Sequence, residues 1–234
     1  MRRHIALVGA VLLGASSLQA QTQAKMFDLG VLFGQQVFDK ATALESTPFV
    51  GLSATYQLPW NPLKLAIKQS TFGVGLAVDV SRPVTDGEQF PLVAFDFGDT
   101  TFLYAVAQRI TLVQAGLQAV VGVPVGKARV YGLVGTGVYS MFTDPRAVGR
   151  NYNVTKPMAT FGGGINYPIT SSIGLSAQAR MATYTQFERS ALDATVGYIQ
   201  DQRIRDALPP PHPASATPTN LQFSLVFQYI PGGK

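Results

Sequence analysis

Few residues in this chain could carry catalysis. There is no cysteine, which excludes thiol catalysis and thiolate metal sites. The two histidines are His4, near the N-terminus, and His212, which stands in the proline-rich run 209–213 (PPPHP). A proline run is stiff and extended, and the local sequence positions no partner beside His212. One histidine with scattered carboxylates does not make a zinc ligand set. We therefore expect no enzymatic activity, no metal site and no cofactor.

Two glycine-rich segments superficially look like phosphate-binding loops. Gly132, Gly135 and Gly137 are closely spaced, and residues 162–164 are three consecutive glycines. A phosphate loop needs a following helix, a Lys-Ser/Thr pair or a βαβ context, and neither segment has these. We interpret the glycines as inward or kinked positions of β-strands.

The first twenty residues have the three parts of a secretory signal. Arg2 and Arg3 precede an apolar run over residues 5–15, and residues 16–20 (SSLQA) offer a small residue at the cleavage site. The apolar run is shorter than the roughly 20 residues that a helix needs to cross a bilayer. The sequence therefore predicts a signal peptide over residues 1–20 and one domain over residues 21–234.

Beyond residue 26, apolar and polar residues alternate with a period of two in eight segments. This alternation is typical of strands with one apolar and one polar face. The segments are residues 27–34, 49–58, 72–81, 112–121, 129–142, 160–167, 173–181 and 221–229. Aromatic residues lie near the segment ends, as expected of a girdle at the membrane interfaces. They are Phe27, Phe49, Tyr56, Trp60, Phe72, Tyr139, Phe142, Tyr167, Tyr184 and Tyr229.

The connections favour a transmembrane barrel over a soluble sandwich. Short connections alternate with long ones along the chain, and transmembrane barrels likewise have short periplasmic turns and long extracellular loops. The short ones are residues 59–62, 125–128 and 170–172, and the long ones are 39–47, 82–100, 143–157 and 187–219. We predict an all-β, antiparallel, up-and-down transmembrane barrel of about eight strands. Residues 90–109 form either a hairpin above the membrane or two further strands, which would make ten.

Three charged residues of the polar faces are predicted to lie inside this barrel: Asp28, Asp79 and Arg180. An interior of eight strands is only wide enough to be filled by side chains. Buried charges need partners, so we expect Arg180 to bond to Asp79 or to Asp28. The pair would either lock the barrel or gate a polar path through it.

Three cations fall in one predicted outer loop: Arg146, Arg150 and Lys156. Arginine binds phosphate groups through paired hydrogen bonds. These residues are candidates for contact with lipopolysaccharide phosphates, and the alternative is an ordinary solvated loop.

The composition fits a membrane barrel and excludes a nucleic-acid surface. Only 13% of the residues are charged, against about a quarter in ordinary globular chains. The formal net charge of +5 includes Arg2 and Arg3 of the predicted signal, so +5 − 2 = +3 remains. The basic residues are scattered and do not alternate with aromatics as nucleic-acid binding would require.

Two segments resemble the bacterial outer-membrane β-barrel domain group, small porin-like barrels of the OmpA/OmpX/OmpW type. Residues 129–137 (RVYGLVGTG) are similar to that group's strand after a short turn, and residues 161–165 (FGGGI) lead to 174–177 (GLSA). The resemblance covers about residues 26–230. It implies an outer-membrane location and assembly by the barrel-insertion machinery, with periplasmic chaperones as partners during biogenesis. Such chains usually end on an aromatic residue, whereas here residues 230–234 follow Tyr229.

We predict from these features a structural or surface-interaction protein of the outer membrane. It would be a monomer without catalysis, in contact with outer-membrane lipid and lipopolysaccharide. A narrow porin-like passage for small solutes is the alternative. A lipid-modifying barrel enzyme would depend on His212, and a soluble lipocalin-like binder would carry its apolar side chains inside.

Overall fold

β-Strands make up most of the chain that the computed structural model describes, which comprises residues 27–62, 70–85, 92–97, 100–105, 109–143, 153–188 and 217–231. The strands are β1 (Phe27–Val37), β2 (Thr47–Gln57), β3 (Thr71–Ser81), β4 (Leu92–Phe97), β5 (Thr100–Ala105), β6 (Ile110–Val125), β7 (Ala128–Thr143), β8 (Asn153–Pro168), β9 (Ile173–Tyr184) and β10 (Thr219–Tyr229). A short 3-10 turn spans Lys40–Thr42. No helix in these ranges is long and apolar enough to span a membrane. The predicted signal peptide over residues 1–20 and His212 lie outside them.

Eight of the strands close into a barrel. Antiparallel neighbours follow the order β1-β10-β9-β8-β7-β6-β3-β2, and β2 pairs back with β1. This confirms the predicted all-β, up-and-down barrel of eight strands. β4 and β5 form a separate two-stranded sheet. The segment for which the sequence left two arrangements open is therefore a hairpin outside the barrel ladder.

Alternation along each barrel strand decides which side chains face outward. On β10, Leu221, Phe223, Leu225, Phe227 and Tyr229 are exposed, whereas the residues between them are buried or half-buried. The exposed set over the whole barrel is rich in Leu, Val, Ile and Phe. A continuous apolar surface of this kind is foreign to soluble monomers and suits contact with acyl chains. It is the opposite of a lipocalin-like binder, which would carry these side chains inside.

The two ends of the barrel differ in their connections. The turn end carries residues 58–70, 126–127 and 169–172, and the loop end carries residues 38–46, 82–109, 144–152 and 185–218. The predicted alternation of short and long connections is wrong for the first two connections, β1–β2 and β2–β3. β3 begins only at Thr71, so the connection 58–70 is longer than 38–46.

Side-chain and backbone geometry closes the connections at the turn end. Asn61 donates from Nδ2 to the carbonyl oxygen of Ser70 over 2.6 Å and to its hydroxyl over 2.8 Å. Gly126 has a φ of 62°, the left-handed conformation that two-residue hairpins require. The Thr170 hydroxyl accepts from the backbone N–H groups of Ser172 and Ile173 over 3.2 and 3.0 Å.

Strand β8 is longer than the sequence predicts. Residues 143–157 were expected to form an outer loop, yet β8 begins at Asn153 and carries Lys156 near its loop end. Pro157 made the sequence pattern argue against a strand here, because proline cannot donate to a β-ladder. Its carbonyl oxygen nevertheless accepts from the backbone N–H and the hydroxyl of Thr185, over 3.1 and 2.7 Å.

The predicted aromatic girdle holds for only some of its members. Trp60, Tyr167 and Tyr229 are exposed on the outer surface near strand ends. Three other members face inward and are buried: Phe49, Tyr139 and Tyr184. Their phase in the alternation, not their position near a strand end, decides the face on which they lie.

Candidate functional site in the barrel lumen

Apolar side chains fill the lumen at the loop end, and we call this cluster the loop-end plug. Its buried members are Phe38, Leu44, Ile110, Leu112, Tyr139, Met141, Met158, Ala182, Tyr184 and Phe187. The Tyr139 and Tyr184 rings stack with centroids 4.3 Å apart, and Phe187 lies 6.4 Å from Tyr184. All three rings have no solvent exposure. These contacting, fully buried rings fill the lumen at this level of the barrel.

Leu44 and Phe187 of the plug come from connections that turn back toward the lumen. Ala43 and Gln186 have φ values of 49° and 53°, a conformation that non-glycine residues rarely adopt. Each directly precedes a plug residue, Leu44 or Phe187. The hydroxyl of Tyr139 donates to the carbonyl oxygen of Thr185 over 3.1 Å, which fastens the second connection to the barrel wall.

Below the plug lies a central polar network of Gln36, Asp79, Gln114, Arg180 and Gln222. Arg180 donates from Nη2 to Oδ2 of Asp79 and from Nε to the Gln222 amide oxygen over 2.6 Å. The other carboxylate oxygen of Asp79 accepts from Gln114 over 2.8 Å and from Gln222 over 3.3 Å. Asp79 and Arg180 are 2% and 4% exposed. The buried charges are thus paired and hydrogen-bonded, as stability requires.

Gln36 joins the central polar network to the loop-end plug. Its amide oxygen accepts from Gln114 over 3.2 Å and from Gln222 over 3.3 Å. Its amide nitrogen donates to the hydroxyl of Tyr184 over 2.9 Å. The four strands that supply Gln36, Gln114, Tyr184 and Gln222 are therefore tied together across the lumen.

Among the described residues, the lumen widens at the turn end. A cavity of about 520 Å³, the turn-end cavity, is lined by residues that include Asp28, Gln57, Thr71, Lys127 and Arg129. Farther inside, the free space between Asp28, Arg129 and the surrounding polar side chains falls to about 40 Å³. A water molecule needs about 10–15 Å³ of such space, so the inner space can hold at least one water.

The structure brings together some of the predicted interior charges and separates others. Arg180 bonds to Asp79, one of the two partners proposed for it. Asp28 lies at the turn end, where its carboxylate accepts from the Gln57 amide over 3.2 Å. The single cluster expected of Asp28, Asp79 and Arg180 is therefore divided between the two halves of the barrel.

The predicted lipopolysaccharide-contacting set is only partly described. Arg146 and Arg150 lie outside the described residues. Lys156 lies on β8 instead of in a loop, and its ammonium group pairs with Glu188 at 3.1 Å. Gln186 also accepts from Lys156, at 3.5 Å. Lys156 thus already has an acidic partner at the loop end.

Arg129 and the three network glutamines were not among the interior residues that the sequence pattern predicts. Arg129 has the same phase on β7 as the inward-facing Tyr131 and Leu133. This phase could have predicted that Arg129 lies in the lumen. Gln114 and Gln222 were on the predicted polar faces, but a glutamine on a polar face is ordinary. Phe187 gave no periodic signal because it lies beyond the end of β9.

The described side chains offer little catalytic chemistry. Among them, no group of three or more His, Cys, Asp or Glu residues could hold a metal ion. The Asp79 carboxylate is buried in the lumen, and its two oxygens accept from Gln114, Arg180 and Gln222. The arrangement ties strands β1, β3, β6, β9 and β10 together across the lumen.

Comparison with known proteins gives one family match. The model for "Outer membrane protein beta-barrel domain" matches residues 6–199. No curated protein matches the chain. Several solved structures are similar. Among them are Neisserial surface protein A (11% identity, TM-score 0.48, 87% of this chain and 95% of that one) and Ail, the attachment invasion locus protein of Yersinia pestis (10%, 0.43, 87% and 95%). The outer membrane enzyme PagL is another (11%, 0.41, 86% and 98%). Similarities of this size have no bearing on function.

Proposed function

Since the chain belongs to the outer membrane protein beta-barrel domain family, we propose that it is a structural or surface-interaction barrel with a sealed lumen and no catalytic role. Its turn end would face the periplasm and its loop end the exterior, as in barrels with short inner turns. Export through a cleaved signal peptide, insertion by the barrel-assembly machinery and a monomeric state belong to the same proposal.

The observation that carries this proposal is the filling of the lumen. Tyr139, Tyr184 and Phe187 close the loop end with no exposed ring surface. Asp79 and Arg180 occupy the centre with their charges satisfied by each other and by glutamine amides. An ion would have to displace both layers, and moving a charge past buried aromatic rings is costly.

The alternative is a narrow passage for small solutes, and conductance separates the two. The refolded protein is inserted into a planar lipid bilayer in 1 M KCl, and current is recorded at both polarities. We expect insertion without stable openings, because the loop-end plug blocks the lumen. Insertion is verified independently by protease protection of vesicles from the same preparation. Reproducible open levels from verified insertions would contradict the sealed lumen and favour the passage.

The proposed surface role is supported by the distribution of connections and by the outer face. The loop end carries the connections 82–109 and 185–218, the longest of the barrel, and exposed loops are where barrel proteins meet partners. The apolar outer surface suits outer-membrane lipid. Contact of Arg146, Arg150 and Lys156 with lipopolysaccharide phosphates is part of the proposal, with Lys156 available only if its pair with Glu188 opens.

A further inference from the structure

The turn-end cavity contains Arg129, which, among the described residues, has no ion-pair partner. Arg180, the other arginine of the lumen, is paired with Asp79. We propose that this cavity is a binding site for a small organic anion carrying a phosphate or carboxylate group. The guanidinium of Arg129 would hold the anionic group, and Lys127 would contribute from the same wall.

The two lumen arginines provide an internal comparison. Among the described residues, ion pairs within 4.0 Å join Arg180 to Asp79 and Lys156 to Glu188, and none involves Arg129. Arg129 donates from Nη2 to two neutral oxygens, Oε1 of Gln57 at 3.1 Å and Oγ1 of Thr71. A charge partly removed from water is stabilised more by an anion than by neutral acceptors. Arg129 lacks the direct carboxylate that Arg180 has.

Gln57 keeps the nearby carboxylate apart from Arg129. Its amide oxygen accepts from Arg129, while its amide nitrogen donates to Oδ2 of Asp28 over 3.2 Å. The Gln57 amide therefore lies between the Asp28 carboxylate and the Arg129 guanidinium and hydrogen-bonds to both. This leaves the guanidinium oriented without neutralising it through a direct ion pair.

The barrel wall makes room for the guanidinium. Gly122 on β6 lies beneath it, and a Cβ at this position would overlap Nε of Arg129. Nε is buried without a hydrogen-bond partner among the described residues. Packing on Gly122, together with the bonds to Gln57 and Thr71, fixes the guanidinium at the boundary between the 40 Å³ inner space and the turn-end cavity.

The cavity has the size and lining of a small-molecule site. Its volume of about 520 Å³ falls within the roughly 300–1,000 Å³ of ligand pockets. Among the described residues, two cations, Lys127 and Arg129, line it against one carboxylate, Asp28. Leu58, Pro124 and Ile230 add apolar wall. The charge balance favours an anion, and the apolar wall favours one with an organic part.

Binding is tested by NMR titration of the ¹⁵N-labelled full mature chain in nanodiscs of zwitterionic lipid. The probe is phenyl phosphate, and phenol is the neutral control of the same shape. We expect saturable shifts of the 126–129 amides and of the Arg129 Nε signal with phenyl phosphate, and no saturable shift with phenol. Arg129→Gln should weaken binding by about tenfold or more, a difference of about 1.4 kcal/mol. Arg129→Lys should retain part of the affinity.

Matched variants distinguish a built site from general attraction of anions. Lys156→Gln removes one positive charge at the loop end and should leave the titration unchanged. Equal affinities in wild type and Arg129→Gln, with both variants shown to be folded by their spectra, would overturn the proposal. So would the absence of saturation by phenyl phosphate in the wild type, or equal shifts with phenol.

A second arm identifies the source of the anionic group. The spectra are repeated in nanodiscs that contain anionic phosphatidylglycerol without added probe. Arg129-dependent shifts at the 126–129 amides under these conditions would support the site with a lipid headgroup as its ligand. Arg129-dependent shifts that need phenyl phosphate would support it with a soluble ligand.

Discussion

Arg180 is the residue on which the centre of the barrel depends. Its guanidinium bridges Asp79 on β3 and Gln222 on β10, and hardly any of its surface reaches solvent. Removing one partner of a buried ion pair is far costlier than never having the pair, since the remaining charge stays buried without compensation. Replacing one partner should therefore destabilise the barrel strongly, whereas replacing both together should destabilise it less.

Arg180→Ala should destabilise the barrel by about 3–5 kcal/mol, because Asp79 would remain charged and unpaired in the lumen. Urea unfolding in lipid vesicles, followed by fluorescence of the single tryptophan Trp60, measures this loss. The double variant Arg180→Met with Asp79→Asn should recover a large part of it. A loss below about 1 kcal/mol for Arg180→Ala would mean that the ion pair does not lock the barrel.

Lys156→Ala is the matched control for a pair in a wetter environment. The side chains of Lys156 and Glu188 are 24% and 41% exposed, and ion pairs with this exposure contribute at most about 1 kcal/mol. The same unfolding measurement should give a small change. A loss as large as that of Arg180→Ala would show that solvent screens the two pairs to a similar extent.

The directions of the strands show why Arg180 pairs with Asp79 and not with Asp28. Asp79 lies near the end of β3 and Arg180 in the second half of β9, and both strands run toward the loop end. Asp28 is the second residue of β1, which starts at the turn end. Alternation alone gives the face of a residue but not its height along the barrel axis, so it does not distinguish the two partners.

At the scale of elements, periodicity predicts strands better than it predicts connections. The face assignments of β1, β2, β3, β9 and β10 follow from a two-residue period, and the structure agrees with them. The start of β8 was missed because Asn153, Lys156 and Pro157 lack the apolar pattern. The positions of Leu44 and Phe187 in the plug were missed because left-handed residues turn them into the lumen, and such turns leave no periodic trace.

The β6–β7 hairpin depends on the backbone conformation of one glycine. Gly126 has a φ of 62°, and a Cβ there would meet no atom within 4 Å. Gly126→Ala should therefore cost about 1–2 kcal/mol through the left-handed backbone alone. The measurement is the urea unfolding of the previous variants.

Gly132 on β7 is the control for Gly126. A Cβ at Gly132 would lie 3.8 Å from the carbonyl oxygen of Gly162, an ordinary contact, and its φ is not left-handed. Gly132→Ala should leave stability unchanged or raise it slightly, because alanine loses less entropy in a strand. Equal destabilisation by both substitutions would contradict the conformational explanation.

Considered as a whole, the molecule is a barrel whose contents change along its axis. An apolar plug closes the loop end, an ion pair with glutamines fills the centre, and a polar cavity opens at the turn end. Exposed Leu, Val, Ile and Phe side chains dominate the outside of the barrel strands. A soluble protein reverses this arrangement, since it buries apolar groups and exposes charges. The sidedness of the wall is thus the property on which the membrane location and the sealed lumen both depend.

Site-directed spin labelling of three consecutive β10 residues tests this sidedness most directly. The chain has no cysteine, so Phe223→Cys, Ser224→Cys and Leu225→Cys each carry one nitroxide in lipid vesicles. We expect the labels at 223 and 225 to collide readily with oxygen dissolved in the bilayer, and the label at 224 to be shielded from both oxygen and a water-soluble nickel complex. A label at 224 that is open to the nickel complex, with 223 and 225 shielded from oxygen, would contradict the lipid-facing apolar wall and the closed interior together.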